Sequence, residues 1–237
     1  MKHIIYCFDI DGVLTDTGSN IDPEFKEWFL EWSADKPYVL ITGSTLERTV
    51  EQIGEEITER ALLVANCMGN SIYQEGRTTI VNEFDFTKEE KQWLMDKVAT
   101  SPFPIRAGNH IVMRPGSANF SIVGRDASVD ERLEYKNYDM NAAERLALAS
   151  EFKSKFQRFD VYIGGDISID ICLKGSNKGQ LLDIIGNFWP DFNLLFYADK
   201  MGPWGIDEPL KQRIEAASVG GSFEILGGYQ ETKKMLQ

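Results

Sequence analysis

The apolar run His3-Ile4-Ile5-Tyr6-Cys7-Phe8 ends directly in Asp9-Ile10-Asp11-Gly12. A short unbroken apolar run of this kind reads as a strand buried on both faces, the habit of parallel sheets sandwiched between helices. Asp9 follows the run at once, so its carboxylate stands at the strand's carboxyl end, with Asp11 two residues on and Gly12 permitting a tight turn. Two carboxylates this close can share a divalent cation, and magnesium prefers carboxylates, phosphate oxygens and water. A metal-bridged carboxylate can attack phosphorus and form an aspartyl-phosphate. The second carboxylate is placed to move the proton of a hydroxyl. Taken alone, Asp-x-Asp-Gly is equally a solvated turn after a strand.

The flanking pattern narrows the choice. Phe25, Trp28, Phe29 and Trp32 fall at helical spacings within 22–33, and 45–53 also reads as helical. Tyr38-Val39-Leu40-Ile41-Thr42 and 61–66 read as further buried strands. The order β-α-β-α-β predicts a doubly wound α/β sheet with its ligand site at the carboxyl ends of the strands. The pattern then changes. Residues 71–84 alternate like a hairpin, 87–99 read as a helix, and 110–114 and 119–124 read as strands around a Pro-Gly-Ser turn. A helix over 141–156 follows, then an alternating strand within 161–173. The α/β pattern resumes with a helix at 178–186 and strands at 194–198 and 223–226. We therefore expect a core formed by 1–81 and 177–237, with an inserted α+β module over 82–176.

Composition sets limits on function. Of the 237 residues, 43% are hydrophobic and 26% charged, an ordinary globular balance. No run approaches a membrane span, and the N-terminal apolar stretch is too short for a signal peptide, so a cytoplasmic protein with no membrane partner is expected. Cys7, Cys67 and Cys172 are odd in number and sit in apolar stretches, which suits buried free thiols in a reducing compartment. The net charge of −12 argues against nucleic acid as a partner. It also requires any phosphate site to be locally positive. His3 and His110 have no second His or Cys at ligand spacing and carry no assignment.

Three further features accompany Asp9 and Asp11. Thr42-Gly43-Ser44 ends the second strand before a helix, where hydroxyls and backbone N–H groups can hold a phosphate. Lys178 follows Gly-Ser-Asn at a helix start, where an ammonium can neutralise phosphate. Asp199 ends another strand, with Asp207 eight residues later. Each stands at a strand end or a helix start.

In this order, the four features resemble the motifs of the haloacid dehalogenase superfamily. The segments Met113–Arg125, Asp130–Tyr135, Tyr162–Ile171 and Asn177–Leu182 resemble the phosphomannomutase family of eukaryotic type. The resemblance implies a haloacid dehalogenase core with an inserted cap. It implies substrate-binding roles for Arg114, Arg125, Arg132, Ser168 and Asp170, and phosphate binding by Thr42, Gly43, Ser44 and Lys178. It implies magnesium held by Asp9, the backbone carbonyl of Asp11, and Asp199. It also implies a small-molecule sugar phosphate as partner, a hexose bisphosphate as activator, and a homodimer through the cap. Read as residues, arginine forks suit phosphate, and Ser168 and Asp170 alternate with isoleucines, so they share a face of their strand. Two departures stand out. The family's basic residue after the nucleophile loop is missing from Asp16-Thr17-Gly18, and Ile206 occupies the place of an Asn. The function expected is interconversion of mannose 6-phosphate and mannose 1-phosphate. The alternatives are a magnesium-dependent hexose-phosphate phosphatase and a catalytically dead binding protein on the same fold.

Overall fold

The computed structural model describes residues 3–237. In chain order the first elements are β1 (His3–Phe8), α1 (Pro23–Trp32), β2 (Tyr38–Ile41), α2 (Leu46–Ile53), α3 (Glu55–Arg60), β3 (Val64–Asn66), β4 (Ser71–Gln74) and β5 (Arg77–Ile80). Next come α4 (Lys88–Thr100), β6 (Ile111–Arg114), β7 (Ser117–Phe120), α5 (Val129–Ala142), α6 (Glu144–Lys155), β8 (Phe159–Tyr162) and β9 (Ile169–Leu173). The chain closes with α7 (Leu181–Phe188), β10 (Phe192–Ala198), α8 (Glu208–Ala217), β11 (Gly220–Glu224) and α9 (Gly228–Leu236). No helix among the described residues is long and apolar enough to cross a membrane.

Seven strands form the larger sheet in the order β11-β10-β1-β2-β3-β4-β5. Its first five are parallel, and β4 and β5 add an antiparallel hairpin at one edge. The expected doubly wound order is present, with β1 central. Separate apolar layers cover its two faces, one built on Ile5, Cys7 and Val39 and the other on Phe8, Leu40 and Phe29. Alternate residues of β1 thus face opposite layers, which is why the run is apolar throughout. A second, antiparallel sheet, β6-β7-β9-β8, lies within the inserted module. It has a core of its own around Phe120, Phe152, Phe159 and Ile169.

The structure departs from the sequence reading where apolar periodicity is weak. The helix α5 buries only Tyr135 and Asp139. Its start is set by a capping box, in which Ser128 Oγ accepts from Glu131 N and Glu131 Oε2 accepts from Ser128 N. The strand expected at 119–124 lies at Ser117–Phe120. The run 161–173 breaks at Gly164-Gly165 into the antiparallel pair β8 and β9. The helix expected over 178–186 begins as a 3₁₀ turn at Lys178–Gln180 and continues as α7.

One ionic contact holds the helical side of the inserted module together. Glu90 Oε2 accepts from Thr87 N at 2.7 Å, closing the capping box of α4, and both carboxylate oxygens accept from Arg158, at 2.6 and 2.8 Å. Burial pushes the Glu90 carboxyl up, but the bonds from Arg158 and from the Thr87 backbone outweigh it and hold it below the usual range. A carboxyl lowered in the folded state contributes stability above its unfolded pKa and loses it as pH falls through the folded value. Glu90→Gln should therefore cost about 1–3 kcal/mol at neutral pH, the scale of a cap plus a charged hydrogen bond. Its stability should also fall less steeply on acidification below about pH 4, near the reference value for Glu. Urea unfolding at neutral and acid pH checks both. Parallel acid responses in variant and wild type would refute the assignment.

Candidate active site

Asp9 stands at the carboxyl end of β1 with 5% of its surface exposed. Its backbone N–H donates to the Tyr197 carbonyl on β10, and its Oδ1 accepts from Ile10 N at 2.8 Å. Lys178 is fully buried, and its ammonium bridges Asp9 Oδ1 at 3.0 Å and Asp207 Oδ1 at 2.6 Å. Asp207 Oδ2 also accepts from Lys200 N. Asp199, at the end of β10, pairs with Lys200 Nζ. The sequence motifs had placed Asp207 downstream of Asp199 without giving it a partner. Its partner, Lys178, lies 29 residues earlier in the chain.

The charge balance of this cluster is uneven. Burial drives the Asp9 carboxyl well up, Lys178 opposes the shift, and the nearby carboxylates of Asp207 and Asp199 add to it. Burial likewise raises Asp199 against the pull of Lys200. Burial lowers the Lys178 ammonium, but Asp207 and Asp9 more than compensate and hold it up, in the charged form. One oxygen from each of Asp9, Asp199 and Asp207 lies within 4.8 Å of the other two. Three converging hard oxygen donors fit a divalent cation of the magnesium type. Gly12 is required beside them. Its φ is +77°, and a Cβ there would stand 2.5 Å from Asp199 Oδ2.

The Asp11 carboxylate lies outside this acidic set. Its Oδ1 accepts from Gly18 N at 2.7 Å and Gln52 Nε2 at 3.0 Å. Its side chain is thus held on the loop that follows β1.

Thr42, Gly43 and Ser44 form the loop after β2. Ser44 N donates to Thr42 Oγ1 at 3.1 Å. The loop is braced from behind, because Cys67 N donates to the Ser44 carbonyl and Met68 N to the Thr42 carbonyl. Cys67 and Met68 both adopt left-handed backbone, φ 51° and 62°, which turns two successive N–H groups onto the loop.

The inserted module contributes the facing wall. Arg114 Nη1 donates to the Gly43 carbonyl at 2.6 Å and lies 3.7 Å from Asp170 Oδ1. Asn119 Nδ2 donates to Ser168 Oγ and to Asp170 Oδ1, both at 2.9 Å. Ser168, Asp170 and Asn119 are all buried. Asn119 was not singled out in the sequence, although register pairs it with Asp170 across β7 and β9. Arg125 is pushed below the usual arginine range, first by burial and then by the positive charges of Arg114 and Arg132. Arg114 and Arg132 thus each act on Arg125. Arg132 donates from Nε to the Ala127 carbonyl at 2.9 Å and from Nη2 to the Arg125 carbonyl at 2.6 Å, so it also braces the turn that carries Arg125.

Ile206 lies between the two walls. It packs with Met68 of the core and with Tyr162 and Cys172 of the inserted module. A Cβ on Gly43 would stand 3.1 Å from Ile206 Cδ1, so the glycine leaves room for this contact.

Comparison with known proteins bears on family and fold. A family described as eukaryotic phosphomannomutase matches residues 26–222. The phosphomannomutase of Spinacia oleracea is 30% identical over 213 residues, covering 86% of this chain and 84% of that protein. A probable phosphomannomutase of Caenorhabditis elegans is 26% identical over 246 residues, covering 98% and 94%. Among solved structures, the IMP-bound, N-terminally truncated IMP-nucleotidase of Plasmodium falciparum has a TM-score of 0.65 at 12% identity, covering 99% of this chain and 67% of that one. A trehalose-6-phosphate phosphatase related protein has a TM-score of 0.56 at 18% identity, covering 98% and 95%. These structures share the haloacid dehalogenase fold, a doubly wound core with an inserted α+β cap. By the extent and the identity of these matches, the chain belongs to the eukaryotic phosphomannomutase family.

Proposed function

We propose that this protein interconverts mannose 6-phosphate and mannose 1-phosphate through an aspartyl-phosphate and a hexose bisphosphate. Residues 82–176 act as the cap over a core of 1–81 and 177–237. The observation that carries the reading is that Arg114 of the cap donates to the Gly43 carbonyl in the phosphate loop, while the positive charges of Arg114 and Arg132 act on Arg125. A mutase must hold a second phosphate while the first reacts. Arginine forks on the far wall answer that need.

In this mechanism a carboxylate oxygen of Asp9 attacks phosphorus and the sugar oxygen leaves. In the reverse transfer the other sugar hydroxyl attacks the aspartyl-phosphate. Asp11 gives and takes the hydroxyl proton. It is turned toward Gly18 and Gln52 in the structure, so it must rotate toward Asp9 to do so. Thr42, Gly43, Ser44 and Lys178 hold the transferring group. Lys178 also keeps Asp9 aimed, through its 3.0 Å contact. Arg114, Arg125 and Arg132 grip the other phosphate, while Ser168 and Asp170 meet sugar hydroxyls. Asp9, Asp199, Asp207 and the backbone carbonyl of Asp11 would hold magnesium, which supplies positive charge against phosphate–carboxylate repulsion. A hexose bisphosphate primes the cycle by phosphorylating Asp9. Val129, Leu133 and Met140 stand exposed on α5, which supports pairing of two caps in a homodimer. A second reading, a hexose-phosphate phosphatase, is favoured by one observation: the loop Asp16-Thr17-Gly18 carries no basic residue.

Asp9→Asn should abolish turnover, since an amide forms no phosphoenzyme. Asp11→Asn should slow both transfers roughly a hundredfold or more, the scale of a lost acid–base group. Phosphorus NMR of mannose 1-phosphate with magnesium, reading 6-phosphate and free phosphate together, measures this and separates mutase from phosphatase. Asp9→Asn activity within about threefold of wild type would sink the mechanism.

A magnesium titration tests the acidic set separately. Asp199→Ala should raise the half-saturating magnesium concentration at least about tenfold, the lower end for a lost ligand-shell group. An unchanged titration would remove Asp199 from the metal site.

Arg125 gives the cleanest test of the distal grip, because Arg132 has a second task in bracing the turn. Arg125→Ala should lower isomerisation about ten- to hundredfold, the scale of a lost charged hydrogen bond. Hydrolysis of 4-nitrophenyl phosphate, which has no second phosphate, should fall far less. Equal losses would place Arg125 in folding or in the core site instead.

A further inference from the structure

The loop after the nucleophile strand, Asp16-Thr17-Gly18-Ser19, has no cation of its own. A cation reaches it from elsewhere. Arg48 Nη2 donates to the Gly18 carbonyl at 2.9 Å. Arg48 lies in the first turn of α2, whose N-cap Thr45 directly follows Ser44 of the phosphate loop. One turn later, Gln52 donates to Asp11 Oδ1 and to the Ser19 carbonyl. Residues four apart share a helix face, so the face that carries Arg48 looks onto the nucleophile loop.

Arg48 is loosely held. Among the described residues its carboxylate contact is Glu51, at 2.8 Å, with the two side chains 35% and 64% exposed. Such a hydrated pair is weak and readily exchanged. Across the cleft, Arg48 adds to burial, Arg114 and Arg132 in holding Arg125 below its usual range. Three guanidiniums from both walls thus act on Arg125, and the Asp170 carboxylate, 3.7 Å from Arg114, opposes them. Like charges gathered around a cleft focus a positive potential and draw an anion in.

We propose that Arg48 is a substrate-binding residue, supplying from α2 the cation that the nucleophile loop lacks. It grips the phosphate that is not being transferred, from the core side, while Arg125 grips it from the cap. The proposal rests on the sugar-phosphate reading given above and adds a specificity contact to it. A structural alternative is that Arg48 merely pins Gly18 and so steadies the nucleophile loop.

Steady-state kinetics on Arg48→Ala and Arg48→Lys distinguish the two. The probes are hexose 1,6-bisphosphate, mannose 1-phosphate and 4-nitrophenyl phosphate. For Arg48→Ala, KM for the bisphosphate and for mannose 1-phosphate should rise roughly ten- to hundredfold, as for a lost charged hydrogen bond. The KM for 4-nitrophenyl phosphate should rise far less. Arg48→Lys should recover part of the loss, because it keeps the charge without the fork. Unchanged KM for the sugar phosphates would overturn the proposal. So would an equal fall in kcat for all three substrates, the mark of a disturbed nucleophile loop. If wild type releases phosphate from mannose 1-phosphate and never forms 6-phosphate, the mutase reading fails. The Arg48 assignment is then still decided by the KM of that hydrolysis.

Discussion

The fully buried ammonium of Lys178, held between Asp9 and Asp207, is the contact on which the site depends. Its three members come from the first strand, the start of the 3₁₀ turn before α7, and the residue that caps α8. The chain between Asp9 and Lys178 contains the whole inserted module, so the pair ties the two halves of the core together across it. Charges buried this deeply are costly unless paired, and removing one partner strands the others. The parallel sheet supplies what the pair needs. It carries Asp9 and Asp199 to the same edge, each the residue directly after neighbouring strands β1 and β10.

The parts of this arrangement legible in the sequence were those with a local signal. The apolar runs of β1, β2 and β10 announced buried strands, and the acidic residues that end β1 and β10 announced the site edge. The capping boxes at Thr87 and Ser128 were present in the sequence, yet α5 read only as a charged, helix-like stretch around Arg132, because it buries no more than Tyr135 and Asp139 and shows little apolar period. Convergence was not legible. Arg48, Gln52, Asn119 and Lys200 carry no motif, and each acquires meaning only from its partner across a loop or a strand. Asp207 was visible as a residue but not as the counter-ion of Lys178, a relation set by how α8 and the Lys178 turn meet. The separation of Ser168 and Asp170 gave their shared face correctly, because a two-residue period survives wherever the chain is extended.

Two walls meet at the site, and both polar and apolar contacts join them. Arg114 reaches from β6 to Gly43, and Ile163 N donates to the Trp204 carbonyl beside Ile206. The apolar cluster of Met68, Tyr162, Cys172 and Ile206 lies directly across this junction. An Asn at position 206 would place a polar amide in that apolar contact, where it would need its own partners. The isoleucine instead buries apolar surface between the core and the inserted module, so in this structure it joins the two walls beside the Arg114–Gly43 bond.

Charge distribution follows the same logic. The protein carries a net charge of −12, so a phosphorylated sugar is repelled at long range in low salt. At the site, cations stand among the acids. Lys178 and Lys200 pair with the core carboxylates, and Arg114, Arg132 and Arg48 act on Arg125. A substrate with a single phosphate can satisfy only one of these two regions at a time. A bisphosphate satisfies both, and turning it end for end exchanges identical charges between them. In the proposed mutase cycle that symmetry favours reorientation over release. The cycle then needs distal cations that match the transferring site in strength, and an Arg48 acting from α2 would bear on the balance between isomerisation and hydrolysis.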